Sequence, residues 1–355
     1  MKKYARIILI GLALTTSVLS KASGNAHAEE EKPFDATSHA IHHALDAYEI
    51  HLTDNFSIPL PVILWTDNGL VTFMSSAFHH DDEGHLLVER NGMNFAKIHG
   101  KIYQVDAGAE HIAFDADNHP TNAHKVTLDF SLTKNVTTMF LVAILLLVIF
   151  IRSAKKYNGG KPVAPSGIAR WTEPGIVFVQ DIAKENIEGD KYKKFTPFLL
   201  TLFFFILFGN ILGLIPFISN PNMTGSISVT LTLAVITFII QMANSKGAFW
   251  SHILMPPGVP KALYIILVPI EIAGIFIKPA ALTIRLFANI TAGHIIVVSL
   301  ISIIFVNKSA AWAGLSVPMT LFISVLELLV AFLQAYIFTM LAALYIGSSV
   351  EEAHH

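Results

Sequence analysis

The sequence predicts an all-α polytopic membrane protein. Five helices cross the membrane, the last two long and tilted and paired as a hairpin. One amphipathic helix lies on the membrane surface, and a small exported domain comes first. Three observations carry this prediction. The 355 residues are 53% hydrophobic and only 14% charged, whereas about a quarter of the residues in soluble domains are charged. No Asp, Glu, Lys or Arg occurs from Phe195 to Ser245, and only Glu271, Lys278, Arg285, Lys308 and Glu327 occur from Ala262 to Val350. Twelve of the 16 histidines precede residue 125, so a polar, His-rich part and an apolar remainder share one chain.

The elements come in chain order. Residues 1–28 resemble a secretory signal peptide: Lys2, Lys3 and Arg6 start it, Ile7–Leu19 is its apolar core, and Ala26-His27-Ala28 is a small-x-small cleavage site. The competing reading is a short uncleaved anchor; either one exports the next segment. Residues 29–130 form an extracytoplasmic domain of mixed or β-rich structure. Ser38–Tyr48 reads as a short helix, and SIPLPVILW, GLVTFMSSAF, HLLVER and KIYQV read as short strands between Gly, Asn and Asp breaks. The paired histidines His42, His43, His79 and His80 match no strong metal-ligand spacing and read as a solvated surface.

Residues 131–355 form the membrane domain. Leu132–Ile151 supplies the roughly 20 apolar residues a span needs, and Arg152, Lys155 and Lys156 then mark its cytoplasmic end. After a Gly/Pro linker at 157–167, Glu173–Glu188 reads as an amphipathic helix on the cytoplasmic surface, with Pro174 in its first turn. Phe195–Phe217 and Ile227–Ala243 are two spans joined by an exported turn. WSHILMPPGVPKA is a cytoplasmic loop flanked by Lys246 and Lys261. Ala262–Val306 is too long for one perpendicular span, so it tilts, kinks near Pro269 or Pro279, or folds back. Val317–Ile346 is the last helix, ending at Gly347, and five crossings leave the C-terminus in the cytoplasm.

Composition also excludes. The chain has no cysteine, so disulfides, thiolate chemistry and Cys-based zinc sites are ruled out. A formal net charge of −2 gives nucleic-acid binding no support. No nucleotide-binding Gly-rich loop occurs, and no cofactor is implied.

The intramembrane charges are the candidate functional residues, because an ionisable side chain there costs on the order of 3 kcal/mol or more. Glu271, Lys278 and Arg285 recur every seven residues, close to one helical stripe. Asn289 joins Arg285 on that face, and His294 falls roughly opposite. Glu327 and Gln334 share a face of the last helix. In an antiparallel hairpin with Gln334 level with Arg285, Glu327 comes within about one turn of His294. His and Glu suit a proton relay. Arg stays protonated and instead attracts a carboxylate or repels cations. A bland alternative, structural ion pairs inside a bundle, stays open, as does snorkelling for Lys278.

RLFANITAGH (285–294), followed by LQAYIFTMLAALYIG (333–347), resembles subunit a of the F-type ATP synthase. So do PFLLTLFFFILFGNILGLIPF (197–217) and TGSISVTLTLA (224–234), in the same order. The likeness covers about 135–350 and leaves the N-terminal 130 residues unexplained. It implies a stator that offers two half-channels to a rotating ring of c subunits, in a bacterial inner membrane. Further implied partners are subunit b of the peripheral stalk, the other synthase subunits and membrane lipid. Arg285 matches the essential arginine that separates the half-channels, with Asn289 and Gln334 at polar positions around it. His294 and Glu327 match a pair lining the extracytoplasmic half-channel, with acid and histidine swapped relative to many relatives. Glu271 matches an acidic position at the cytoplasmic half-channel, and Asn210 a polar position on the preceding hairpin. Gly213 departs from relatives that carry an acid there. A stand-alone proton or cation channel, or an antiporter, is the alternative; it needs no ring partner.

Overall fold

The computed structural model describes residues 46–53, 56–109, 111–115, 119–126, 128–157, 164, 166–215, 223–255, 260, 263–307 and 309–351, the side chains of 51–53, 56, 294, 305 and 310 excepted. The expected signal peptide lies outside the described residues, as does nearly all of the expected Ser38–Tyr48 helix.

Among the described residues, the N-terminal part is built of nine short strands in three sheets. β1 (Glu49–Thr53) pairs with β2 (Phe56–Pro59). β3 (Pro61–Thr66) sits between β4 (Gly69–Met74) and β9 (Leu128–Asp129). β5 (Val88–Arg90), β6 (Met93–Ile98), β7 (Lys101–Val105) and β8 (Ala123–Lys125) form an antiparallel meander. Alternation along β3 buries Val62 and Leu64 and leaves Trp65 exposed. Val71, Phe78, Phe95 and Ile102 complete the core. The sequence pattern does not predict β6. Its Lys97 is buried yet compensated, 3.9 Å from Glu49 and 3.8 Å from Asp82.

Two sequence-distant groups anchor the start of α1 (Lys134–Lys155). The Lys134 N–H donates to Ala47 O at 2.7 Å, and the Asn135 N–H donates to Asp46 Oδ1 at 3.0 Å. The Thr133 hydroxyl oxygen accepts from the Val136 N–H. Three of the first-turn donors that a helix leaves unsatisfied are thereby paired.

α2 (Ile168–Asn186) begins five residues earlier than the sequence suggests. Pro174 therefore sits inside the helix, past its first turn, which corrects the expected start. α2 buries Val179, Ile182 and Ala183 against the bundle, and Ser153 and Thr172 exchange a 3.0 Å hydrogen bond between α1 and α2. α3 (Tyr192–Gly213) and α4 (Ile227–Ala243) come next. Part of the expected WSHILM loop is instead helix α5 (Gly247–Leu254), bent 100° from α4. Burial of Phe249 and Ile253 with Ile275 holds it there.

The last two helices are α6 (Tyr264–Val306, 43 residues) and α7 (Ala313–Val350, 38 residues). α6 runs through Pro269 and Pro279 as a single helix, so it does not fold back. At 1.5 Å per residue the two are about 64 and 57 Å long, roughly twice a 30 Å hydrocarbon core, which calls for strong tilt. Gly347 does not end α7 as expected. A Cβ there would collide with Asn186 O, so the glycine is a close-approach point between α2 and α7. The helix continues to Val350, where the Lys191 ammonium donates to Val350 O and the Lys246 N–H donates to Ser349 O. Among the described residues, four helices are long and apolar enough to cross a membrane, and α4 with α5 makes a bent fifth.

Candidate functional site

The α6–α7 hairpin positions most of the candidate polar groups, and two contacts fix its register. Glu327 Oε1 lies 2.5 Å from where a Gly293 Cβ would stand. Eighteen residues further along α7, the Tyr345 ring takes the Lys278 ammonium at 5.4 Å. Between these points Gln334, buried at 4% exposure, lies level with the Leu286–Asn289 turn. The hairpin thus carries one polar level around Arg285 and Gln334 and another around Glu327, with Gly293 and the backbone of His294. The side chain of His294 lies outside the described residues.

Arg285 stands on the exposed face of α6, beside Ile284, Ala288 and Asn289. It forms no hydrogen bond or ion pair with the described residues. A guanidinium so placed in an apolar helix needs a partner from outside the chain. Glu271 sits 14 residues before Arg285 on the same helix, about 21 Å along its axis. Gly293, level with Glu327, is eight residues past Arg285, about 12 Å the other way. Two acidic positions therefore flank the arginine on opposite sides.

Asn210 arrives from α3. Its Nδ2 donates to Ala331 O of α7 at 3.2 Å, and its Oδ1 accepts from the Thr224 hydroxyl at 2.5 Å. This buried amide ties together α3, α7 and the segment leading into α4. The side chain of Met223 occupies the space that Gly209 leaves by lacking a Cβ. Asn210, Thr224, Asn289 and Glu327 line one cavity with Gly209, Gly213 and Val330. Its volume of about 20 Å³ has room for about one water molecule.

The cavity changes one expectation. Helical spacing assigns Asn289 to the Arg285 face alone, yet it also borders Glu327 and so stands between the two levels. Sequence reasoning misses Thr224 and Gly293. Thr224 opens the TGSISVTLTLA segment between α3 and α4, but nothing in that segment marks its hydroxyl as a partner for Asn210. Gly293 sits beside His294 and is small because a carboxylate lies against it.

These features define a class: a polytopic membrane protein whose long helical hairpin holds a solitary arginine between two acidic positions. The family model described as ATP synthase A chain matches residues 136–347. A second model, described only as a domain of unknown function, matches residues 39–130. ATP synthase subunit a of Chloroherpeton thalassium is 47% identical over 234 residues, 64% of this chain and 69% of that protein. ATP synthase subunit a 2 of Chlorobium luteolum is 47% identical over 251 residues, 66% of this chain and 72% of that protein. ATP synthase subunit a of Chlorobium phaeobacteroides is 48% identical over 235 residues, 64% of this chain and 67% of that protein. The chain belongs to the ATP synthase subunit a family.

Proposed function

We propose that this chain is the stator proton channel of an F-type ATP synthase, giving protons access to a rotating ring of c subunits and coupling their flow to rotation. The observation that carries this reading is Arg285, exposed in an apolar hairpin and flanked on both sides by acidic positions. Its partner is a carboxylate on the passing ring. At about 4 Å, opposite charges attract by about 4 kcal/mol at an effective dielectric of 20 and by about 1 kcal/mol in water. Arg285 therefore keeps the ring carboxylate ionised where the interface is dry and releases it where water enters. Because arginine does not deprotonate, it blocks direct proton passage between the two entrances.

Glu327 is the titratable group of one half-channel, with His294 as its relay neighbour and the Asn210–Asn289 cavity as its water station. Glu271 serves the other half-channel. Gln334 and Asn289 orient groups around Arg285. The basic residues give the direction: Arg152, Lys155 and Lys156 end α1, while Lys191 and Lys246 meet the end of α7. The positive-inside rule puts these ends and the C-terminus in the cytoplasm. The strand domain and the Asn210–Glu327 cavity then face the other side, with α2 lying on the cytoplasmic membrane surface and the first 28 residues acting as an export signal. Subunit b and the peripheral stalk hold the chain against ring torque.

Arg285→Ala in the assembled complex tests the reading. Loss of proton-driven ATP synthesis, with the complex still assembled, is expected; unchanged synthesis overturns it.

A further inference from the structure

The strand domain has no part in the mechanism above, yet residues 46–130 hold eight of the 16 histidines. Four of these stand against carboxylates. His80 Nδ1 lies 2.6 Å from Glu49 Oε2, His85 Nε2 3.0 Å from Glu83, His124 Nε2 3.4 Å from Asp106 and His119 Nδ1 3.7 Å from Asp115. The side chains of His85, His119 and His124 are 76–79% exposed. Glu49 is nearly fully buried, and it also accepts from the Ser57 hydroxyl and faces Lys97, which in turn faces Asp82. His79 borders the same open cavity as His80 and Glu49. No group of three such side chains suited to a metal ion occurs among the described residues. The pairs are spread over the β1–β2 hairpin, the 81–87 loop, the turn before β8 and β8 itself.

We propose that the strand domain is a proton-collecting surface, whose imidazole–carboxylate pairs take protons from bulk buffer and pass them to the half-channel entrance on the same side. Histidine is the side chain whose charge changes between pH 5 and 8. Each transfer moves one proton from a buffer acid to an imidazole, then from the imidazolium through water to the entrance, with no other bond changed. The need is kinetic. A diffusion-limited encounter at about 10¹⁰ M⁻¹s⁻¹ with the free protons of neutral solution delivers about 10³ per second to one entrance. Enzymes turn over at up to about 10³ per second, and each ATP consumes several protons. Supply and demand are of one order, so a surface that gathers protons from a wider area relieves the limit. β9 ends five residues before α1 begins, so the surface is tethered at the membrane. On the orientation proposed above, on which this inference rests, it lies on the side of the Glu327 cavity.

The test combines His85→Asn, His119→Asn and His124→Asn, three exposed changes outside the strand core, in the whole synthase reconstituted in vesicles. ATP synthesis is driven by a potassium-diffusion potential, with the domain's side held at neutral pH, in dilute and in concentrated imidazole buffer. The triple variant is expected to lose about tenfold in dilute buffer, the bottom of the 10–10³ range that local concentration at a charged surface contributes to an on-rate, and to match wild type in concentrated buffer. Adding His80→Asn deepens the loss. Equal rates in dilute buffer overturn the proposal, and so does a deficit that concentrated buffer leaves in place. Wild-type vesicles that make no ATP would instead overturn the stator reading itself.

Discussion

Gly293→Ala is a one-carbon change that reaches the proton path through geometry alone. The new Cβ would stand 2.5 Å from Glu327 Oε1, 3.2 Å from Cγ and 3.3 Å from Cδ. Ordinary contact begins near 3.5 Å, so the carboxylate must retreat by about 1 Å. Glu327 is the flexible end of a half-buried side chain, so the helices need not separate and the fold is little disturbed. Its place in the Asn210–Asn289 cavity is lost. A displacement of about 1 Å at a reacting group can cost on the order of a hundredfold in rate. ATP-driven acidification of inverted membrane vesicles is the assay, with assembled complex quantified by immunoblot. A loss of tenfold or more at normal assembly is expected. A wild-type rate would show that the contact between Gly293 and Glu327 does not set proton transfer, and the role given to Glu327 would fall with it.

Other expectations rest on particular contacts. Glu327→Gln keeps the shape but removes the titrating proton, so ion flow slows and its pH dependence changes; an unaltered profile removes Glu327 from the path. Gly347→Ala drives a methyl into Asn186 O and should cost about 1–3 kcal/mol of α2–α7 packing, read as a lower melting temperature in detergent. Tyr48 is held neutral in the folded domain, first by burial and then by its hydrogen bond to Asp129, which pushes its pKa well above the usual 10. A group whose folded pKa is raised contributes stability that is complete below its unfolded value and lost above it. Protection of the β3 amides in the full chain, measured against the base-catalysed rate of an open amide, should therefore fall above about pH 10. In Tyr48→Phe that alkaline step should shrink, at a cost near 1 kcal/mol because Asp129 stays solvated.

The apolar pattern made the spans legible. Ile227–Ala243 stands where the sequence placed it, and the long run after Ala262 is a single helix. What stayed hidden depended on partners distant in sequence. MNFAKI shows no clean alternation, and its lysine is tolerable inside only because Glu49 and Asp82 face it. Gly347 looks like a helix stop, and only the Asn186 carbonyl explains why the helix passes through it. α5 lies in a Trp- and His-bearing stretch before Pro256 and Pro257, where no helical period stands out. The spacing arithmetic placed Glu327 at the level where Gly293 meets it. It could not bring Asn210 and Thr224 to that level, because α3 delivers the first and the segment leading into α4 the second.

On the proposed function, Arg285 faces a carboxylate on another subunit. The chain has no cysteine, so a single Asn289→Cys, on the exposed face one turn from Arg285, reports without background. Oxidation of the assembled complex, with a second cysteine placed beside the ring carboxylate, should give a disulfide between the two subunits. ATP synthesis should stop with it and return on reduction. No cross-link from position 289, at full assembly, would show that this face of α6 does not meet the ring.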